Sequence, residues 1–279
     1  MRTIDLKIVT EKIREMFIDA CDNIPQNVLN KLVEAERNEK SPLSKSVLSK
    51  IIENDKLARE KNLPLCQDTG VAVVFLTIGS EVTFKGDIYD AVNEGVRRAY
   101  NDGYLRKSMV AHPLDRVNTK DNTPAVIHIK LVSGDGFKID VAPKGGGSEN
   151  MSAVKMLIPA DGEEGVKKFV LDTVLNAGGK PCPPVIVGVG IGGNFEKCAL
   201  MAKEALLRDI DDKSDDPISM RLEEELKTLI NDSGIGAMGF GGTQTCLAVK
   251  VNAYPCHIAS LPVAVNIQCH AARHKTCEL

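Results

Sequence analysis

The chain has 279 residues, of which 43% are apolar and only 4% aromatic, with no Trp, so Val, Ile, Leu and Ala must fill its interior. That length suffices for a sizeable core in one or two subdomains. A formal net charge of −3 excludes the concentrated basic excess expected of a nucleic-acid binder or a polybasic membrane-surface binder.

The first 17 residues mix Arg2, Asp5, Lys7, Glu11, Lys12 and Arg14 among apolar positions, without the apolar core that a secretory signal needs. The longest apolar runs, around residues 71–78 and 183–191, are too short to span a bilayer as helices. A soluble, cytoplasmic protein is expected.

In chain order, Ile8, Val9, Ile13, Met16, Phe17 and Ala20 keep helical spacing, which resumes after Pro25 and again after Ser41-Pro42. No chemistry is assigned to this N-terminal helical region. Residues 63–70 interrupt it, and residues 71–78 read as a strand. Ile88, Val92, Val96 and Ala99 mark a further helix, and two β-rich runs flank Ser133-Gly134-Asp135-Gly136, a hairpin signal. Residues 144–150, Lys-Gly-Gly-Gly-Ser-Glu-Asn, read as a flexible loop. The second half repeats the mixture, with a helix ending at Gly178-Gly179, a strand after Cys182-Pro183-Pro184, two more helices and two closing strand-like runs. The acidic run 209–216 between those helices reads as a solvated loop. The expected fold class is α+β, with mixed β-sheets flanked by helices, as one domain or as two lobes at about 1–160 and 161–279.

Gly188-Val189-Gly190-Ile191-Gly192-Gly193 matches a dinucleotide fingerprint after a strand and before a helix. The context fails, because Asp209 and Asp211 lie in a charged loop followed by a helix and not at the end of a second strand. A tight strand-to-helix turn is the simpler reading.

Eight cysteines stand at 21, 66, 182, 198, 246, 256, 269 and 277, with no C-x-x-C pair. Their irregular spacing argues against a disulfide framework and against a zinc ribbon. Cys198 and Cys246 sit on a helix and at a strand start and read as core residues. Cys66, Cys182 and Cys269 instead stand in polar or turn-rich segments, each at the junction of a loop and an apolar run. Buried inert thiols are one reading of these three. The other is a cluster site, one thiolate short of a closed iron–sulfur centre, which leaves an iron open for Lewis-acid chemistry.

Leu65-Cys66-Gln67-Asp68-Thr69-Gly70, Asp121-Asn122-Thr123-Pro124-Ala125, Lys144-Gly145-Gly146-Gly147-Ser148-Glu149-Asn150, Cys182-Pro183-Pro184 and Asn266-Ile267-Gln268-Cys269-His270-Ala271-Ala272-Arg273 occur in this order. Together they resemble the signature blocks of class I iron–sulfur fumarate hydratases. The resemblance implies a [4Fe–4S] cluster on Cys66, Cys182 and Cys269, with one iron not ligated by Cys, and reversible addition of water to a small dicarboxylic alkene. It implies Asp68 and His257 as catalytic groups and Gln67, Arg106, Gly146 and Gly147 as substrate contacts. His112, Arg116, His270 and Arg273 are weaker candidates around the same pocket. Single-chain members of that family continue into a second domain, whereas this sequence stops at Leu279. The α subunit of a two-chain enzyme is therefore expected, with a separate β subunit and an α–α dimer contact. Fumarate/malate is the first substrate reading, L-tartrate the second. A non-catalytic iron–sulfur sensor or assembly protein is the alternative from another class.

Overall fold

The structure, a computed structural model, describes all residues from Met1 to Leu279. In chain order the elements are β1 (Arg2–Thr3), α1 (Leu6–Asp22), α2 (Gln26–Asn38), α3 (Pro42–Lys61), β2 (Val71–Gly79), β3 (Val82–Thr83), α4 (Ile88–Asp102), β4 (Val126–Val132) and β5 (Phe137–Lys144). There follow α5 (Gly146–Glu149), β6 (Ala153–Leu157), α6 (Gly162–Ala177), β7 (Val185–Gly192), α7 (Phe195–Ala205), α8 (Pro217–Asn231), β8 (Cys246–Tyr254), β9 (Leu261–Gln268) and β10 (Lys275–Glu278). The α+β class is as expected from the sequence. No helix is long and apolar enough to cross a membrane.

The chain divides into two compact units that are not sequential halves. Unit 1 comprises Met1–Pro25, Asp55–Gly146 and Arg273–Leu279, and unit 2 comprises Gln26–Asn54 and Gly147–Ala272. Gly146 and Gly147 fall in different units, and the N-terminal helices are divided between the units.

In unit 1 a sheet of order β10-β5-β2-β4 carries α1 and α4. Asp5 and Asp87 start these helices by accepting the Lys7 and Tyr89 N–H groups, each satisfying an amide that the first turn leaves unpaired. Their apolar stripes, including Val9, Ile13 and Phe17 of α1 and Val92, Val96 and Tyr100 of α4, bury against Val74, Leu76, Ile139 and Val141. Each such aliphatic side chain contributes about 1.5–3 kcal/mol of burial.

The β-runs on either side of Ser133-Gly134-Asp135-Gly136 are not hairpin partners. β2 lies between them, parallel to β4 and antiparallel to β5. The connecting loop instead brackets the end of β2: Ser80 N–H donates to Val132 O and Glu81 N–H to Gly134 O. At Gly79 an added Cβ would lie 2.2 Å from the Gly134 oxygen, so glycine is required for that close approach.

Asp55, also in unit 1, is only 4% exposed, and neither carboxylate oxygen has a hydrogen-bond partner. Burial pushes its pKa up from 3.8 to about 7, with Arg59 opposing. The folded chain therefore retains a proton that the unfolded chain releases. Stability is expected to fall by on the order of 4 kcal/mol between about pH 4 and pH 7 through this group. Urea unfolding of Asp55→Asn should show that slope flattened and the variant more stable than wild type at pH 8. An unchanged slope would remove Asp55 as its source.

In unit 2 a sheet of order β6-β9-β7-β8 carries α6 and α8 on one face and α7 on the other. Val185, Val187 and Val189 of β7 pack with α6 and α8, so the alternate residues Gly188 and Gly190 face α7. An added Cβ would meet Ala202 O at 2.1 Å from Gly188 and Cys198 O at 2.1 Å from Gly190. The fingerprint-like glycines thus let a helix pack tightly on a strand, which is one of the roles glycine plays in the dinucleotide motif as well.

The acidic run after α7 is more than a solvated loop. Asp212 accepts from Arg208 at 3.0 Å and from Lys250 at 2.7 Å, and the Lys250 side chain is only 3% exposed. Burial works against the Asp212 carboxylate, but the two cations hold its pKa below the ordinary value.

Candidate functional site

Within unit 1, residues 63–70 form a fixed platform for Cys66 and Asp68. Leu65 N–H donates to Cys21 O at the end of α1, 2.9 Å away. The buried Tyr100 hydroxyl donates to the carbonyls of Thr69 and Gly70, at 2.7 and 3.0 Å. Buried Asn122 donates to Gly70 O and accepts from the Ser108 and Met109 amides. It therefore ties the Cys66 loop to the segment that follows Arg106. The Thr69 hydroxyl completes that tie, donating to Arg106 O at 3.0 Å, while the Arg106 side chain stays exposed.

Asp68 is oriented from several directions. Its Oδ1 accepts from Gly70 N–H at 3.0 Å, an Asx turn, and its Oδ2 accepts from Gly146 N–H at 2.8 Å. Arg273, only 3% exposed, donates to the Asp68 carbonyl at 2.6 Å. Gly146 therefore spends its N–H on Asp68, whereas the Gly147 N–H makes no hydrogen bond to that carboxylate. Gly146 also starts a short helix, where the sequence suggested a flexible loop.

Unit 2 brings Cys182 and Cys269 to one end of its sheet. The antiparallel register of Ile186 with Gln268 places the start of β7 beside the end of β9. Cys182 N–H donates to Gly179 O, and Cys182 O accepts His270 N–H at 3.3 Å. Cys182 itself has φ 56°, a left-handed conformation that costs a non-glycine residue about 1–3 kcal/mol. Gln268 Nε2 lies 3.5 Å from Cys269 Sγ and donates to Ala271 O. Gly147 packs beside the same turn, since a Cβ there would lie 3.6 Å from Lys180 O.

His257 is not at that end. It is exposed in the β8–β9 connection, where its Nδ1 accepts Ala259 N–H at 3.1 Å. The whole of β9, roughly 25 Å at strand rise, separates it from Cys269. Unit 2 by itself therefore does not join His257 to the cysteines. His112 is exposed and caps its own turn by accepting the Leu114 and Asp115 amides.

Exposure divides the cysteines by chemistry. Cys66, Cys182 and Cys269 are partly exposed, as is Cys277 in β10, and Cys256 is exposed, whereas Cys21, Cys198 and Cys246 are buried. Burial pushes Cys21 and Cys246 up to about 12 and raises Cys198 as well, so these thiols resist ionising into metal ligands. Neither unit by itself gathers three or more His, Cys, Asp or Glu side chains that could hold a metal ion.

The family described as "Fumarate hydratase (Fumerase)" matches residues 10–278. The chain belongs to this family of hydro-lyases. A Methanocaldococcus jannaschii relative, provisionally named L(+)-tartrate dehydratase subunit alpha, is 47% identical over 272 residues, 95% of each chain. Relatives from Escherichia coli and Shigella sonnei, named L(+)-tartrate dehydratase subunit alpha, are 32% and 31% identical. Each of these alignments covers 96% of this chain and 89% of the relative. In this fumarate hydratase family member, sequence reasoning missed Thr69, Tyr100 and Asn122 as the scaffold of the Cys66 loop. Asn122 lies inside one of the signature blocks and could have been singled out there, whereas Tyr100 looks like any core residue of α4.

Proposed function

We propose that this chain is the cluster-bearing α subunit of a two-chain [4Fe–4S] hydro-lyase that dehydrates L(+)-tartrate to oxaloacetate. The observation carrying the substrate is the 47% identity, over 95% of both chains, to a relative provisionally named for that reaction. This reverses the order expected from the sequence, which put fumarate first. Fumarate hydration is the second reading, favoured by the family's own description. The word alpha in the relatives' names supports a separate β subunit. The α–α contact belongs to the same reading and is tested by the mass of the assembled complex.

The thiols fit the cluster. Cys66, Cys182 and Cys269 are the partly exposed loop cysteines that lie outside the buried apolar clusters, and the Cys182 and Cys269 turns are hydrogen-bonded to each other. These three residues would hold it. When bound, a cluster with three thiolate ligands supplies an iron that polarises a carboxylate or hydroxyl oxygen. The chain's own residues do the rest. The exposed Arg106 guanidinium offers paired N–H donors matched to a substrate carboxylate. Gln67, exposed beside Cys66, and the Gly147 amide supply further hydrogen bonds to the dianion. Asp68, with both carboxylate oxygens oriented by amides, holds the proton exchanged with the departing hydroxyl. The base that removes the carbon-bound proton is assigned to the β subunit. His257 is left out of the set carried by a single chain.

Anaerobic kinetics of the reconstituted two-chain enzyme separate the substrates. The expected result is a higher kcat/KM for L(+)-tartrate than for L-malate or fumarate. A preference for fumarate or malate would return the first reading to its original place.

A further inference from the structure

Residues 234–242 run through Gly234, Gly236, Met238, Gly239, Gly241 and Gly242, all at positive φ. A segment so rich in glycine loses much chain entropy on adopting one conformation and needs anchors outside itself. Two of these anchors come from the N-terminal helical region, to which the sequence assigned no chemistry. Glu39, at the α2–α3 junction and 6% exposed, accepts the Thr243 N–H at 3.0 Å on each oxygen and the Gln244 N–H at 3.0 Å. The Lys40 and Ser41 amides fix the same carboxylate, at 2.7 and 2.9 Å. Ser44 Oγ accepts Ala237 N–H at 2.9 Å. Burial opposes ionisation of Glu39, but the backbone donors prevail and hold its pKa below the ordinary value.

The anchored segment in turn holds the Cys182 turn. Met238 N–H donates to Pro183 O at 2.7 Å, and Gly239 packs on Gly179, where a Cβ would lie 2.7 Å from Gly179 Cα. Gly179 O accepts the Cys182 N–H. We propose that Glu39, assisted by Ser44, is a positioning residue for Cys182, acting through the glycine-rich segment 234–244. All these residues lie in unit 2. The proposal deepens the cluster reading above and rests on it for the purpose of the positioning.

The test measures thiol alkylation of the cluster-free full chain by iodoacetamide, resolved by mass spectrometry, for wild type, Glu39→Gln and Ser44→Ala. Glu39→Gln keeps the size of the side chain but turns one acceptor into a donor facing backbone amides. Cys182 is expected to react about tenfold faster, as weakening a charge-assisted hydrogen-bond set allows. Ser44→Ala should give a smaller rise at Cys182. Cys66 should be unchanged, and the buried Cys21 and Cys246 report global unfolding. If all thiols accelerate together in Glu39→Gln, Ser44→Ala decides. A rise not selective for Cys182 in either variant, or no rise in both, overturns the proposal. Reconstituted Glu39→Gln should also lose iron to a chelator faster than wild type. Wild type that takes up no iron would sink the cluster reading while leaving the alkylation result standing.

Discussion

Replacing Cys66, Cys182 or Cys269 with alanine is expected to abolish iron–sulfur loading and turnover together while leaving the fold intact. These side chains are partly exposed at loop ends and lie outside the buried apolar clusters, so their removal opens no core cavity. Three thiolates are the minimum set in this reading, and a cluster with one ligand missing has no replacement from the buried thiols. Cys21, Cys198 and Cys246 belong to those clusters. Alanine at these positions is expected to reduce stability by about 1 kcal/mol without reducing iron uptake. Iron and sulfide analysis beside circular dichroism distinguishes the two groups. A Cys269→Ala protein with full cluster absorbance and turnover would break the ligand assignment.

Asp68→Asn is expected to lower kcat by roughly 10²–10⁴-fold, the usual contribution of a positioned general acid–base group. Iron content should stay at the wild-type level. The amide oxygen can still accept from Gly70 N–H, so the Asx turn survives. The new NH₂ faces Gly146 N–H where a carboxylate oxygen stood, and it cannot take up or release the proton at neutral pH. Steady-state kcat and iron content measured on one preparation check both halves of this expectation. Unaltered kcat would reduce Asp68 to a turn residue that holds the Cys66 loop.

The parts of this protein legible in its sequence are those fixed by short-range physics. The helix through Ile8 and Ala20, the strand β2, the helix ending at Gly178 and the break at residues 63–70 follow from periodicity and turn residues within a few positions. The sheet order is set by long-range pairing, and there local signals misled. A good hairpin signal at Ser133–Gly136 became a loop bracketing β2, because a third strand competes for the same edges. The strand β10 escaped notice because it is short and polar and exists only through pairing with β5. Sequence likewise offered the cysteines and Asp68 as candidates, since motif residues are local. It could not reveal that Arg273 grips the Asp68 backbone from 205 positions away, or that Glu39 anchors a segment 204 positions on. His257 stands close to Cys269 in sequence, and only the straight run of β9 puts it at the other end of the sheet.

In the proposed enzyme this chain carries a cluster on three loop cysteines. Chemical iron and sulfide analysis with electron paramagnetic resonance, after anaerobic reconstitution of the full chain and its partner, addresses it most directly. The expected result is about four irons and four sulfides per chain, with a signal, after one-electron reduction by dithionite, that changes when substrate is added. Iron absent or bound without sulfide, with all three thiols still open to alkylation, would contradict it and make Cys66, Cys182 and Cys269 structural residues.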